Sequence, residues 1–192
     1  MKWELSKKHK DREGIDFFNT FPHFVKIGFI LILLISLLLN FIPVKVLLAI
    51  DFRTNEYLKS WPITDGDSFS VLYTHSVQLC PVSETYIIRD ENIILTETYF
   101  ESFGAGLPSS TPESYKFEIT STGYRISEIN QLMSNLVYRT GAVRANHVLE
   151  LNGKEYVFLE FSKPRTGVEF QIKDLSLISY LAKEVLKWKM EN

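Results

Sequence analysis

The amino-acid sequence predicts a mainly β protein: one N-terminal transmembrane helix followed by a compact antiparallel β-sandwich or barrel-like ectodomain, with one short helix and a C-terminal amphipathic helix. Three observations predict it. A nineteen-residue apolar run carries a single charge near its start. After it, short segments alternate apolar and polar side chains with period two between turn residues, the pattern of half-buried strands. The 192 residues are 45% hydrophobic and 14% aromatic, enough to bury one sizeable core and too apolar for disorder.

The apolar run is "FVKIGFILILLISLLLNFI", Phe24 to Ile42. At about 1.5 Å per residue it covers roughly 28 Å, close to the hydrocarbon thickness of a bilayer. Asn19 or Thr20 can cap it, Pro22 occupies an early position where no amide hydrogen bond is needed, and Pro43 marks its end. A cleaved leader would have a shorter apolar core and a small-residue exit, whereas the exit here reads "NFIPVKV". Six basic residues (Lys2, Lys7, Lys8, Lys10, Arg12 and Lys26) lie before the helix ends, against Lys45, Arg53 and Lys59 just after it. The positive-inside bias therefore predicts a cytoplasmic tail over residues 1–23, a single span of the cytoplasmic membrane over 24–42 and an extracytoplasmic domain over 44–192.

That outer domain holds fifteen basic and nineteen acidic side chains, so anionic lipid should repel it weakly. A net charge of −2 and a pI near 6.1 supply no field for tracking phosphates, and no nucleic-acid partner is expected. One cysteine cannot close a disulfide within the chain, which makes Cys80 a small buried apolar residue.

Strands are expected over Val44–Phe52, where period two argues against extending the helix, and over Tyr57–Trp61 after an "RTNE" turn. Further strands are expected over Ser68–Val77, Val82–Arg89, Asn92–Phe100, Tyr115–Thr120, Asn146–Leu151, Lys154–Phe161 and Val168–Ile172. Asn152-Gly153 is the dipeptide that best tolerates a type I′ hairpin. "SEINQLMSNL", capped by Ser127, predicts the short helix. The segment from Asp174 through "LSLISYLAKEVLKWKM" predicts the last one, with Ile178, Leu181, Ala182, Val185 and Leu186 on the face that covers the sheet.

The stretch "YTHSVQLCPVSETY" concentrates candidate chemistry. Phe69, Val71, Tyr73, His75 and Val77 share one strand face, and Val82, Glu84, Tyr86 and Ile88 share one face of the next. A four-residue loop over Gln78–Pro81 would set His75 opposite Glu84 and Tyr73 opposite Tyr86. A two-residue turn at Asp90-Glu91 would extend the row to Glu97, and a three-residue turn would put Thr98 there instead. An inward carboxylate is costly unless paired, and an imidazole about 5 Å away is a natural partner. Such a pair serves equally as a structural hydrogen bond, a contact to a small ligand or part of a divalent-ion site. The spacing matches no metal signature, and no cofactor motif occurs. Neither Cys80 nor Ser76 has a convincing base for nucleophilic catalysis.

In "FESFGAGLPSSTPES", Ser102, Gly104 and Gly106 form either a tight exit turn or a bend whose amides hold a small anionic ligand. The stretch lacks the lysine and spacing of a phosphate loop. "GDSFSVLYTHSVQLCPVSETY" and "FESFGAGLP" together resemble the hallmark segments of a bacterial family, domain of unknown function 1850 (DUF1850), over roughly Val46 to Ile172. The most specific residues are Tyr73, His75, Ser76, Val77, Pro81, Glu84 and Ser102 to Pro108. The resemblance implies a small membrane-anchored protein, an accessory near tripartite ATP-independent periplasmic (TRAP) transporters of the TAXI type, with a transporter permease or solute-binding protein as partner. The expected function is thus non-catalytic binding of a partner or small ligand through Tyr73, His75, Glu84, Glu97, Ser102, Gly104 and Gly106. The alternatives are a hydrolase using His75 and Glu84 as acid and base, or a purely structural module.

Overall fold

Period-two segments pair into two antiparallel sheets. The computed structural model describes residues 22–102, 112–142 and 144–191, with side chains as far as Leu186. Its first element is a helix, α1 (His23–Leu39), of 17 residues, none of them buried, and its apolar side chains are exposed around the whole circumference. Among the described residues no helix is long and apolar enough to cross a membrane. The tail expected over 1–23 lies almost entirely outside the described residues.

Strand β1 (Pro43–Asp51) starts four residues after α1 ends, followed by β2 (Tyr57–Pro62), β3 (Ser68–Thr74), β4 (Pro81–Arg89), β5 (Asn92–Phe100), β6 (Lys116–Ile119), β7 (Tyr124–Ser127), β8 (Gln131–Leu132) and β9 (Leu136–Arg139). Then come β10 (Val148–Leu151), β11 (Lys154–Val157), a single helical turn α2 (Phe158–Phe161), β12 (Gly167–Ser176) and a terminal helix α3 (Leu177–Glu191). One sheet has the order β2-β1-β12-β9; the other runs β11-β10-β3-β4-β5-β7-β6, with β8 paired to β5. Leu47, Ala49, Trp61, Val168 and Phe170 from the first sheet share one buried cluster with Phe69, Val71, Tyr86, Ile88 and Leu149 from the second. The mainly β, antiparallel expectation therefore holds, with both sheets turned onto one core.

Several local expectations hold. Asn152 and Gly153 both adopt positive φ in the β10–β11 hairpin, and Arg89 pairs with Asn92 across the two-residue turn at Asp90-Glu91. Gly123 sits where a Cβ would come within 2.5 Å of the Phe100 carbonyl oxygen, a close approach next to the β5–β7 pairing that only glycine permits.

Three expectations are corrected. The "SEINQLMSNL" helix is not formed: Glu128 and Asn130 take left-handed φ values of 61° and 49°, and Ile129 and Met133 donate their amides to Thr96 and Ile93 of β5. The short helix appears at α2 instead, inside the expected Lys154–Phe161 strand. A helical turn brings both Phe158 and Phe161, three residues apart, into the core.

The third correction concerns α3, which lies against β1 and β12. The face turned to the sheet carries Tyr180, Lys183 and Glu184: Tyr57 Oη donates to Glu184 Oε1 at 3.0 Å, and the Lys183 ammonium sits 4.6 Å from the Tyr57 ring centre. Of the expected apolar face only Ile178 is half-buried; Leu181, Ala182, Val185 and Leu186 are exposed. Asp174 lies in β12, so the helix starts three residues later than predicted.

Candidate functional site

The β3–β4 connection decides where the candidate residues go. Tyr73 pairs with Val82 and Phe69 with Tyr86, so Glu84 faces Val71 and not His75. This corrects the predicted hairpin register. The His75 amide donates to the Cys80 carbonyl and the Leu79 amide to the His75 carbonyl, closing the loop tightly, with Leu79 at a φ of 53°. His75 is consequently in the loop, where its Nδ1 accepts a hydrogen bond from the Gln78 amide at 3.2 Å.

Glu84 does point inward, as its strand position predicts, but its partners are tyrosines. Tyr138 Oη, from β9 in the opposite sheet, donates to Glu84 Oε2. Tyr86 Oη lies 3.2 Å from the same oxygen and 2.5 Å from Tyr138 Oη. Burial, reinforced by the carboxylate, holds all three phenols of Tyr73, Tyr86 and Tyr138 protonated well above the ordinary tyrosine range. The cluster ties one sheet to the other with hydrogen bonds to a charged acceptor.

The row does not reach Glu97. An irregularity between Thr85 and Tyr86 shifts the β4–β5 register by one, placing Thr98 opposite Glu84 and Glu97 opposite Thr85. Side chains alternate across a strand, so Glu97 faces away from Glu84 and pairs with Arg125, Nε to Oε1 3.3 Å. Ser102 is half-buried at the end of β5, where its carbonyl accepts a long contact from Cys80 Sγ, and Cys80 is buried as expected. Gly104 and Gly106 lie outside the described residues.

Tyr73 and His75 do come together, in a cleft of about 480 Å³ at the end of the sheets remote from α1. Eight strand steps separate Pro43 from Asp51, and at about 3.3 Å each this is roughly 26 Å. The far ends of β3 and β9 supply the walls: the Thr74 amide donates to the Ala145 carbonyl at 2.8 Å, joining β3 to the segment before β10. Arg139 ends β9. Beyond it Thr140 donates its amide to Thr166 at 2.8 Å and accepts from the Arg165 amide at 2.9 Å. Arg139, Arg165, His75 and His147 all line the cleft, and among the described residues no carboxylate does. Gly141 fits because a Cβ there would meet the Ala145 Cβ at 2.7 Å.

His147 forms part of the cleft wall while being 8% exposed. Its ring stacks on Tyr73 at 5.3 Å between centroids and lies 5.3 Å from Phe158. Nδ1 is sealed from solvent without a hydrogen-bond partner. Burial pushes the imidazole down to about 4, against 6.5 for an ordinary histidine, so the ring is neutral at pH 7. The folded state resists the proton that the unfolded chain accepts near 6.5. The associated stability is fully present above that value and is lost as the pH falls toward 4, roughly 3 kcal/mol in all. His147→Phe is expected to flatten the dependence of the urea midpoint on pH between 6.5 and 5, where carboxylates titrate little. A variant as pH-sensitive as the parent chain would assign that dependence to another group.

Tyr138, Arg139, His147 and Arg165 were not among the residues singled out from sequence. One signal was available: His147, Leu149 and Leu151 alternate toward the apolar side of the Asn146–Leu151 strand candidate. Residues 69–158 match the model of a family described as a domain of unknown function (DUF1850). The match contains Tyr73, His75, Glu84, Tyr138, Arg139 and His147, and stops before Arg165 and α3. No curated protein and no solved structure matches the chain.

Proposed function

From a chain whose residues 69–158 match the model of the DUF1850 family, we propose a membrane-anchored, extracytoplasmic binding domain that acts without catalysis as an accessory of solute uptake. The observation that carries it is the cleft at the far pole, lined among the described residues by two arginines and no carboxylate. The enzyme alternative called for a His75–Glu84 acid–base pair, and each of these residues has other partners: Glu84 two phenols, His75 the Gln78 amide. Binding is therefore placed first.

Support for the anchor comes from α1, whose seventeen residues cover about 26 Å. Leu31, Ile32, Leu33, Leu34 and Ile35 are each about half exposed or more, on every side of the helix, and Phe41 and Ile42 continue the apolar surface. A helix that meets α3 yet leaves apolar side chains exposed all round is stable in lipid and not in water. Its polarity follows the basic excess before it, which puts the β domain outside. The partner named by the family resemblance, a transporter permease or its solute-binding protein, fits a site held at the pole farthest from the bilayer.

The test is expression of the full chain with a C-terminal tag in a bacterial host. The protein is expected in membranes after carbonate extraction, with the tag open to protease in spheroplasts, whereas residues 43–192 alone are expected in the soluble fraction. Mild-detergent purification is expected to bring down the neighbouring transporter. A soluble full-length protein would overturn the anchor, and repeated recovery of the intact protein alone would overturn the accessory role.

A further inference from the structure

We propose that the far-pole cleft receives a small organic anion, with its carboxylate held by Arg139 and Arg165 and its apolar body laid against Tyr73 and His147. The proposal rests on the binding reading above and adds the chemical class of the ligand.

The charge is the first reason. The whole chain is close to electroneutral, with 21 basic and 23 acidic residues, yet this concavity has two arginines and, among the described residues, no carboxylate in its lining. Among the described residues neither arginine takes part in an ion pair. Two like charges bordering one hollow favour an anion beside them, and a planar fork of N–H donors suits the flat, two-oxygen face of a carboxylate.

The framework is the second reason. Arg139 and Arg165 come from segments clamped together by the two backbone hydrogen bonds at Thr140. Arg165 holds a φ of 69°, a left-handed conformation that costs a non-glycine residue energy and fixes where its side chain leaves the chain. The positions from which both guanidinium groups extend are thus set before any ligand arrives, which lowers the ordering cost of binding.

The walls supply the third. Gly141, Ala142 and Ala145 give the lining small residues, and Tyr73, His75 and His147 give it aromatic ones. A space of about 480 Å³ suits a metabolite-sized molecule with an apolar or planar body better than a bare inorganic ion. His147 completes the arrangement. With Nδ1 sealed and unpartnered, its remaining nitrogen is the only polar atom the ring can offer. Since the ring is neutral, it contributes a hydrogen bond and no charge.

The experiment titrates the full chain, in detergent or nanodiscs, with benzoate, its neutral analogue benzamide, its cationic analogue benzylamine, and inorganic phosphate, by calorimetry at low salt. Benzoate is expected to bind at least about tenfold more tightly than the two isosteres, the loss a charge-assisted bidentate contact implies. Arg139→Gln and Arg165→Gln are each expected to weaken benzoate by at least about tenfold, with the lysine variants intermediate. Both side chains are exposed, so the thermal midpoints of these variants should stay near the parent value. Equal binding of all three aromatic probes, or unchanged affinity in the glutamine variants, would overturn the anion assignment and leave a binding cleft of other chemistry. Phosphate binding more tightly than benzoate would overturn the carboxylate class. If no probe binds while the transporter still co-purifies, the small-anion proposal falls and the accessory role stands; if both fail, both readings fall.

Discussion

Truncation of Phe158 to alanine should destabilise the domain by about 3–5 kcal/mol, the range for emptying an aromatic site in a close-packed core. Phe158 is fully buried, with ring centroids at 5.2 Å to Phe161, 5.3 Å to His147, 5.7 Å to Phe170 and 6.2 Å to Tyr138. Each neighbour is fixed by a different element: α2 itself, the entry to β10, β12 and β9. No single backbone movement can close the hole, so relaxation should be small and the cost near the upper end. Two of the neighbours, His147 and Tyr138, stand at or behind the cleft. The same substitution should therefore weaken benzoate binding although it touches no cleft-lining charge. Urea unfolding reads the first effect and calorimetry the second. A loss below about 1 kcal/mol would mean that the aromatic junction is looser than its geometry implies.

The second large effect is expected at Glu84. Replacing Tyr138 by Phe removes one donor and leaves Tyr86 within 3.2 Å of the carboxylate, so a loss of about 1 kcal/mol is expected. Replacing both Tyr86 and Tyr138 by Phe leaves a half-buried carboxylate facing aromatic rings with neither phenol, and the loss should rise to roughly 3 kcal/mol, more than the two single losses together. Adding Glu84→Gln to that double variant should recover part of the loss, because it removes the stranded charge. Additive single and double effects, measured as a double-mutant cycle by urea unfolding, would show that the two hydroxyls do not share one acceptor.

These sites divide into what the sequence revealed and what it concealed. Alternation along β3 and β4 was legible because β-branched and aromatic side chains pack on one pleated face. It correctly turned Tyr73, Glu84 and Tyr86 toward the core. The partner of Glu84 was concealed because pairing depends on where the loop closes. Leu79 takes a left-handed conformation that leucine does not advertise, and the hydrogen bonds between His75 and Cys80 move the register by four residues from the one inferred. Likewise Ile129, Met133 and Leu136 suit a helical repeat on paper, but β5 offers the backbone of Ile129 to Met133 a ladder and β12 pairs with Leu136, so tertiary pairing overrides propensity. Tyr138 and Arg139 follow the expected helix in a stretch that carries no strand expectation, although it forms β9. Arg165 sits in a connection, where no periodicity marks it. His147 alternates with Leu149 and Leu151 toward the apolar side, a signal that alone does not separate a core histidine from a cleft one.

Only Asn40 to Ile42 separate α1 from β1, and the Leu177 amide binds back to the Ile42 carbonyl at 2.8 Å. A junction so short and doubly tied cannot act as a swivel. The domain behaves as a rigid lever whose fulcrum is the base of the sheet: tilting α1 by about 10° sweeps the opposite end, roughly 26 Å away, through roughly 4–5 Å. In the anchored arrangement proposed above, a neighbour gripping the helix would in this way advance or withdraw the arginine-lined hollow, converting a change in the plane of the bilayer into a displacement well outside it.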